Sequence, residues 1–305
     1  MRLSPADFRA LMVFRAIVEH RGFTGAQLAL GMSQSTLSFH LKSLEERLGF
    51  QLCRRGRGGF KLSERGQQVF ERSKSLAAAI SGFEGSLGEL RHKIVGTLRI
   101  GFVDNTITNP DIPLDDIILA CVTAAPEAEI QLTISDPKSL IAEIGNGGID
   151  IAVMPQIEMA GGLRQVHFYD ETHSLYCGDR HPLFITGKPL TIAEVEAYGF
   201  LMRPYANRRE LHHFPNAKVC AHASNMEAQA AFILSGALIG YLPDHFAARW
   251  VSAGRMRAIL PSARIQSPFV FLSPEETTPP PLIRLFIREV TTRANGKSRA
   301  PRKVA

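Results

Sequence analysis

The chain has few cysteines and no long apolar run. Its 305 residues include 4 cysteines, 1 tryptophan and no CxxC pair, so we expect reduced thiols at Cys53, Cys121, Cys177 and Cys220. No stretch of about 18 apolar residues predicts a membrane helix, and the first residues contain no apolar core of signal-peptide length. We therefore expect no membrane partner and a cytoplasmic location.

Sequence patterns of catalytic and metal sites are also missing. The ten histidines show no HExxH or similar ligand spacing, so we expect no metal and no cofactor. The chain has no nucleophile elbow, phosphate-binding loop or paired-acid motif. An enzyme remains an alternative only if its catalytic residues follow no recognisable motif.

Charge is distributed unevenly along the chain. Up to Val95 there are 15 Lys and Arg against 8 Asp and Glu, a net charge of +7, whereas the remainder has 20 against 21, a net charge of −1. A basic domain joined to a nearly neutral one is typical of a DNA-binding unit that carries a separate sensor. From Arg293 onward there are five Lys or Arg and no acid, which predicts a solvated basic tail over residues 294–305.

Residues 24–38 predict two short helices joined by a tight turn. Thr24 is the predicted N-cap of the first helix and Ser33 that of the second, because a side-chain oxygen can accept from first-turn amides. Gly31 lies between them, where left-handed backbone angles favour a residue without Cβ. A preceding helix is predicted to begin after a Ser4 cap. This order of helices predicts a helix-turn-helix, with an ordinary helical hairpin as the alternative.

The second helix of this pair has an apolar face and a polar face. Leucines spaced 4, 3 and 4 residues apart form the apolar stripe, at Leu37, Leu41, Leu44 and Leu48. A polar N-terminus with an apolar back is what a recognition helix in the major groove requires. Phe39 lies about 170° from the centre of the stripe, so it should not join the core. The candidate DNA-contact residues here are Gln34, Ser35, Ser38, Phe39 and Lys42.

A basic loop follows these helices. Short strands are predicted at Leu52-Cys53 and Phe60-Lys61-Leu62, around a loop of three arginines and three glycines. Such a wing can approach the phosphate backbone closely or place guanidinium groups in a narrow minor groove. We expect Arg55 and Arg57 to contact DNA; a flexible surface loop with incidental charge is the alternative.

A long helix is predicted over residues 63–92. Its apolar positions follow a 3.5-residue repeat, which favours a coiled-coil partner over packing on the helix's own domain. The seam consists of Val69, Ser73, Leu76, Ile80, Phe83, Leu87 and Leu90. We expect this helix to pair two copies of the chain.

These segments resemble the LysR-type transcriptional regulators. In the first third the resemblance rests on Ser33–Ser38, Leu44–Gly49, Leu52, Arg55, Arg57, Leu62-Ser63 and Gly66, and beyond it on Leu98–Gly101, Gly148–Ala152 and Ser235–Pro243. It implies a winged helix-turn-helix domain at 1–62, a dimerising linker helix at 63–92, and a two-lobed α/β effector domain, similar to type 2 periplasmic binding proteins, at 96–293.

The region after residue 96 alternates strands and helices, which indicates parallel α/β layers. The predicted elements of the first lobe are strands Thr97–Phe102, Glu129–Ile134 and Asp150–Met154 and helices after Pro113 and over Lys138–Ile144. Tyr169–Gly178 is expected to cross to a second lobe with Gly199–Met202, Lys218–Ala221, a helix from Asn225 and Leu238–Leu242, and Phe269–Leu272 to return. The lobes are thus predicted at 96–168 with 268–293, and at 169–267.

The resemblance places a ligand in the cleft between these lobes. Strand ends and helix N-termini offer free amides there, which favour an anionic group. The candidate effector-binding residues are Asn105, Thr106, Lys138, Arg203, Ser224 and Asn225. Arg203 could bind a carboxylate in a bidentate manner, so we predict a small anionic effector. A surface ion pair of Arg203 and a simple helix-cap role of Ser224 remain alternatives.

The predicted function is a DNA-binding transcriptional regulator controlled by a small-molecule effector. The resemblance implies an operator of double-stranded DNA, a dimer that assembles into a tetramer, and recruitment of RNA polymerase. An enzyme and a purely architectural DNA-binding protein are the alternatives. Many family members have an arginine after the Gln-x-x-x-Ser pattern where this chain has Phe39, so the family's usual base contacts do not transfer to that position.

Overall fold

The computed structural model describes residues 2–56, 59–91, 93–158, 162–186, 188–204, 209–275 and 279–294. These residues form two compact units. The first runs up to Ser81 and includes Asn146–Gly148, and the second comprises the other described residues. Within the described ranges, no helix is both long enough and apolar enough to cross a membrane.

The first unit is a helix-turn-helix followed by a two-stranded wing. Its elements are α1 Pro5–Glu19, α2 Phe23–Leu30, α3 Gln34–Leu48, β1 Cys53–Gly56, β2 Gly59–Leu62 and the start of α4 Glu64–Leu90. Phe14 and Ile17 of α1 pack with Leu37 and Leu44 of α3 in its core. Because the leucines repeat at helical spacing, α3 buries one face and leaves the other exposed.

The ends of these helices follow local side-chain chemistry, with one correction. Ser4 and Ser33 cap α1 and α3 as predicted, and Gly31 has a φ of 62° at the end of α2. The prediction that Thr24 caps α2 is wrong. The chain reverses direction at Gly22, whose φ is 140°, so α2 begins one residue before Thr24 and has no side-chain cap.

The second unit consists of two α/β lobes. Lobe I contains β3 Val95–Phe102, α5 Leu114–Ala124, β4 Glu127–Ile134, α6 Pro137–Gly145, β5 Ile151–Pro155 and, at its end, α10 Pro281–Ala294. Lobe II contains α7 Ile192–Glu196, β7 Gly199–Met202, β8 Lys218–His222, α8 Met226–Leu234, β9 Gly240–Pro243, α9 Asp244–Ser252 and β10 Met256–Ile259. The elements α7, α9 and β10 had no prediction from the sequence.

Two long antiparallel strands join the lobes, β6 Leu163–Gly178 and β11 Ile265–Pro274. The main sheet has the order β10-β6-β11-β5-β3-β4, with β9 also paired to β6, and β3 runs parallel to β4 and β5. A separate parallel pair, β7-β8, lies in lobe II. The crossing predicted at Tyr169–Gly178 therefore occurs within a longer strand that starts in lobe I.

Each lobe has its own apolar core. Phe102 and Phe286 are among the fully buried side chains of lobe I, and Phe200, Phe214 and Tyr241 among those of lobe II. Among the described residues, the lobes share no apolar cluster, and they are connected by the strands β6 and β11. The cleft between the lobes is therefore where a ligand can act on both.

Candidate DNA interface and effector cleft

Helix α3 presents polar side chains on the face opposite its leucines. Gln34, Ser35 and Lys42 are exposed, whereas Ser38 is half-buried and its hydroxyl donates to the Gln34 carbonyl at 2.7 Å. Lys42 Nζ lies 3.7 Å from Glu46 Oε1, and a pair this exposed contributes little to stability. The first turns of α3 thus offer amide, hydroxyl and ammonium groups to a binding partner.

Phe39 is the one large apolar side chain on this face among the described residues of α3. It is 69% exposed, and its ring meets the His40 ring edge-on at 5.8 Å between centroids. The core of the unit lies on the other side, around Leu37 and Leu41. Phe39 is therefore available for contact and makes no contribution to the core.

The wing has two cations directly opposite each other. Strands β1 and β2 pair in antiparallel register, with Arg54 facing Lys61, and both residues are exposed. Like charges in this arrangement repel, which favours a binding partner with negative charge. Glu45 of α3 fixes the start of the wing, because its carboxylate accepts from the Leu52 amide at 2.7 Å and the Cys53 amide at 3.3 Å.

A groove of about 390 Å³ lies between α3 and the wing, and Ser38, Lys42, Gln51 and Arg54 are among the residues that line it. Sequence reasoning did not single out Gln51, Arg54 or Lys61 as contact residues. The strand register that brings Arg54 opposite Lys61 was the missing information. The side chain of Arg55 and the whole of Arg57 lie outside the described residues, so their predicted contacts stay predictions.

The predicted seam of α4 is buried at one end and exposed at the other. Val69 packs against the core of the first unit and Ser73 is buried. Further along, Phe83 is 64% exposed and Leu90 80% exposed, and Leu87 is also exposed. These three side chains, which we call the α4 stripe, form an apolar surface on the single chain.

In the second unit, a cavity of about 270 Å³ lies between the lobes. Lobe I contributes Asp104, Ile134, Ser135, Asp136 and Pro137, and lobe II contributes Ser224 and Asn225. Ser224 and Asn225 thus lie at the cleft where the sequence analysis expected them. Asp104 follows the first strand of lobe I together with the candidates Asn105 and Thr106, whereas Asp136 was not among the predicted residues.

The other predicted residues of lobe I do not line this cavity. Asn105 has a φ of 60° and precedes the 3₁₀ helix Thr106–Thr108. Thr106 is buried, and its hydroxyl donates to the Val103 carbonyl at 2.9 Å. Lys138 is exposed at the start of α6, where its amide donates to Asp136 at 3.0 Å.

Arg203 directly follows β7 and is almost completely buried, with 4% of its surface exposed. Its guanidinium forms an ion pair with the equally buried carboxylate of Glu210. The pair is internal, so the alternative of a surface ion pair does not describe this residue. The Arg203 charge still acts on lobe I, where it helps to hold down the pKa of Asp104 against the larger, raising effect of burial.

A second buried carboxylate, Glu171, lies on the crossing strand β6. His173 Nε2 donates to it at 2.8 Å and His245 Nε2 of α9 at 3.0 Å, while the Asn109 amide of lobe I donates at 3.2 Å. Thr108 of lobe I bonds His245 Nδ1 at 2.9 Å. This network joins the two lobes at the crossing strands.

The network keeps Glu171 ionised. Burial alone would raise the pKa of Glu171, but the hydrogen bonds from His173 and His245 outweigh it and lower the pKa to about 2. Burial lowers the pKa of His173, so this imidazole is neutral at pH 7 and donates through Nε2. A carboxylate that is ionised and bonded from both lobes helps to hold them in the arrangement seen in this structure.

Comparison with known families agrees with both units. The family model described as "Bacterial regulatory helix-turn-helix protein, lysR family" matches residues 8–67, and "LysR substrate binding domain" matches residues 91–295. The chain belongs to the LysR family of transcriptional regulators. It is a DNA-binding transcriptional regulator with an effector-binding domain and not an enzyme, which removes the enzyme alternative.

Individual relatives of this LysR-type regulator cover most of its length. The HTH-type transcriptional activator BauR of Pseudomonas aeruginosa is 35% identical over 264 residues, which is 85% of this chain and 86% of BauR. The transcriptional regulator PtxR of the same organism is 25% identical over 300 residues, 95% of this chain and 93% of PtxR.

Solved structures of LysR-type regulators share the fold. Full-length CbnR in complex with its target DNA has a TM-score of 0.64 at 21% identity and covers 94% of this chain and 99% of CbnR. A single-residue variant of full-length OxyR from Pseudomonas aeruginosa has a TM-score of 0.65 at 15% identity, covering 97% of this chain and 96% of OxyR. At these identities the likeness shows the fold alone.

Proposed function

We propose that α3 and the wing bind an operator in double-stranded DNA, and that a small effector in the interlobe cavity changes how the protein holds that operator. The observation that carries the proposal is the combination of a solvent-exposed recognition face with a separate cavity formed by both lobes. A cavity shared by two lobes lets a ligand shift their equilibrium, provided that it binds one arrangement better than the other.

The DNA contacts divide by chemistry. The first turns of α3 read base edges in the major groove, and the wing holds the backbone. The exposed polar face of α3 and the facing cations of the wing support this division. The proposed contact residues are Gln34, Ser35, Ser38, Phe39 and Lys42 on α3, and Arg54, Arg55, Arg57 and Lys61 on the wing.

Phe39 reads a thymine methyl group in this proposal, because an apolar ring suits the C5-methyl and offers no hydrogen bond to a base. Deoxyuridine in place of that thymine removes only the methyl. Burial of one such group contributes about 0.8 kcal/mol, so the substitution should weaken wild-type binding about fourfold in one half-site. Titration of fluorescent duplexes, selected from a random pool with the wild-type protein, measures the loss.

The Phe39→Ala variant should bind thymine and deoxyuridine operators equally well. Leu28→Ala is the matched control, because Leu28 is also an exposed apolar side chain but lies on α2. It should keep the wild-type preference for thymine. If Phe39→Ala keeps that preference too, another residue reads the methyl or none does.

The wing should contribute affinity that does not depend on sequence. Replacing Arg54, Arg55, Arg57 or Lys61 by Ala should weaken binding to operator and to random DNA alike. For each lost phosphate contact the slope of log K against log salt should become shallower by about one. Lys218→Ala, which removes an exposed cation from lobe II, should change neither quantity. A loss confined to the operator, with an unchanged slope, would instead mean that the wing reads bases.

The proposed effector is a small anion with at least one carboxylate. The N-terminus of α8 supports this, because Ser224 and Asn225 of the cavity wall precede its first-turn amides and its dipole favours negative charge. Arg203 acts through its charge, which Glu210 partly offsets. The proposed effector site comprises Asn105, Thr106, Lys138, Arg203, Ser224 and Asn225, with those outside the cavity wall in supporting positions.

A thermal-shift screen on the full-length protein tests the effector class. Small carboxylates, aromatic acids and amino acids are compared with their neutral amides. A ligand that binds only the folded state stabilises it by about 2.7 kcal/mol at 100 times its dissociation constant, which the assay detects. We expect acids to stabilise the protein and amides to have no effect. Stabilisation by the amides alone would contradict the proposal that the effector is an anion.

The proposed assembly is a dimer through the helix at 63–92, and a tetramer built from two such dimers. The apolar α4 stripe supports the dimer, because Phe83, Leu87 and Leu90 are uncovered on the single chain. The proposed place of action is the cytoplasm, where the operator and RNA polymerase are. Contact with polymerase is the step through which a bound dimer would activate transcription.

A further inference from the structure

One short segment of lobe I reaches lobe II at several points. Asp104–Asn109, which we call the bridge segment, follows β3 and contains the 3₁₀ helix Thr106–Thr108. At its start, the Asp104 carboxylate accepts from the Met226 amide of α8. At its end, the Thr108 hydroxyl bonds His245 of α9 at 2.9 Å. The bridge segment therefore holds lobe II through two different helices.

The contact at Asp104 uses a group that an anionic effector also needs. Met226 is the first residue of α8, and its amide is one of the unpaired donors at that N-terminus. The Asn225 side chain already accepts from the Ala228 amide at 2.8 Å. Two first-turn donors of α8 are thus occupied by the protein itself, one by its own cap and one by lobe I.

The Asp104 contact has the charge and the setting of a bound carboxylate. A negative group at a helix N-terminus is stabilised by the helix dipole, and a partly buried one more strongly. Burial raises the pKa of Asp104, although the Met226 amide and the Arg203 charge act in the opposite direction. The carboxylate therefore sits in the cleft at a desolvation cost that its contact with α8 has to offset.

A second carboxylate in the same cavity provides the contrast. Asp136 also lines the cavity, but it accepts from the amides of Lys138 at 3.0 Å and Ser139 at 3.2 Å, at the start of α6 in its own lobe. Both aspartates place a negative charge at a helix N-terminus. Of the two, Asp104 is the one that joins one lobe to the other.

We propose that Asp104 is an internal latch: it holds the first turn of α8 in the effector-free protein, and the anionic group of the effector takes its place. This rests on the proposed function of the cavity as the effector site. Exchange of one carboxylate for another at α8 conserves the contact with the helix, so the change that matters is the release of the Asp104 end of the bridge segment. At α8 the effector then takes over the contact between the lobes from Asp104, while the Thr108–His245 contact and the Glu171 network remain.

Hydrogen exchange of the full-length protein without any ligand tests the latch itself. Asp104→Ala should speed exchange of the Met226 amide at least about tenfold, because a charge-assisted hydrogen bond across the lobes is lost. Asp104→Asn, which keeps an acceptor oxygen but no charge, should lie between. Asp136→Ala should speed exchange at Lys138 and Ser139 and leave Met226 unchanged. Equal exchange of Met226 in wild type and Asp104→Ala would overturn the proposal.

Calorimetry with acetate and benzoate at constant ionic strength tests the competition. Both probes should bind Asp104→Ala about tenfold more tightly than wild type, because the internal competitor is gone, and Asp136→Ala should show a smaller gain. An equal gain in the two variants would reduce the effect to general charge repulsion and contradict the latch. If no variant binds either probe, that result contradicts the anionic effector of the proposed function. The hydrogen-exchange rate of the Met226 amide then still tests whether Asp104 holds α8.

Discussion

Phe83→Glu should break the dimer that we propose to form through α4. The substitution puts a carboxylate into the α4 stripe, and an unpaired charge buried in an apolar interface costs several kcal/mol. Phe83 is 64% exposed on the single chain, so its replacement removes little packing within the protomer and both units should stay folded. Sedimentation at micromolar concentration measures the assembly, and circular dichroism checks the fold.

Operator binding should fall with the dimer. Two linked DNA-binding units gain about 100- to 10,000-fold in affinity over one unit, because the second contact is intramolecular. The variant without the α4 dimer should lose that factor on an operator with two half-sites and bind a single half-site as well as wild type does.

Ser81→Glu is the matched control for Phe83→Glu. It adds the same charge to the same helix about 160° around from Phe83, and it should leave the dimer intact. A Phe83→Glu protein that sediments like wild type would mean that the α4 stripe is not the interface.

Arg203→Ala should strongly destabilise the second unit. Arg203 and Glu210 are both buried, so loss of the guanidinium leaves a carboxylate without its ion-pair partner in lobe II. Breaking a buried ion pair in this way costs about 3–5 kcal/mol. The melting temperature should fall by roughly 10 °C for a unit of this size.

Two further variants separate the ion pair from other roles of Arg203. The double variant Arg203→Met with Glu210→Gln removes both charges and keeps the side-chain volume, so it should recover most of the lost stability. Lys188→Ala breaks the exposed Lys188–Glu194 pair of the same lobe and should leave the melting temperature unchanged. If Arg203→Ala melts like wild type, Glu210 does not depend on Arg203 for its charge balance.

Affinity for the effector should also be measured in the double variant. A loss of effector binding in Arg203→Ala alone does not distinguish a missing contact from a damaged lobe. In the double variant, whose stability is recovered, a loss of about 10- to 100-fold in affinity for an acid from the screen would assign Arg203 a role in binding. Unchanged affinity would restrict Arg203 to holding lobe II together.

The sequence predicted what local chemistry decides. Ser33 caps α3 because its hydroxyl accepts from the Thr36 amide three residues on, and Gly31 turns the chain because it lacks Cβ. Leu37, Leu41 and Leu44 of α3 are buried because their spacing matches the helical repeat. Thr24 does not cap α2, because the backbone has positive φ angles at Arg21 and Gly22 and α2 therefore begins before Thr24. The residue type at position 24 does not reveal this backbone conformation.

What the sequence missed depends on contacts between distant residues. Asp104 meets Met226 across the cleft, 122 positions away along the chain, and no local pattern reports such a pair. Arg203 was predicted to bind the effector because of its type and its place at a strand end. No sequence pattern pairs it with its buried partner Glu210. The facing pair Arg54 and Lys61 required the register of the wing. Which charged groups meet in the cleft and in the wing therefore depends on tertiary contacts.

Footprinting of the full-length protein on its operator, with and without the acid that stabilises it most in the screen, tests the central claim most directly. We expect protection of two half-sites in the absence of the acid, and a changed pattern of protection or hypersensitive bonds when the acid saturates the protein. The neutral amide of the same acid should leave the pattern unchanged. An identical footprint with the cavity saturated and empty would contradict effector control and favour a purely architectural DNA-binding protein.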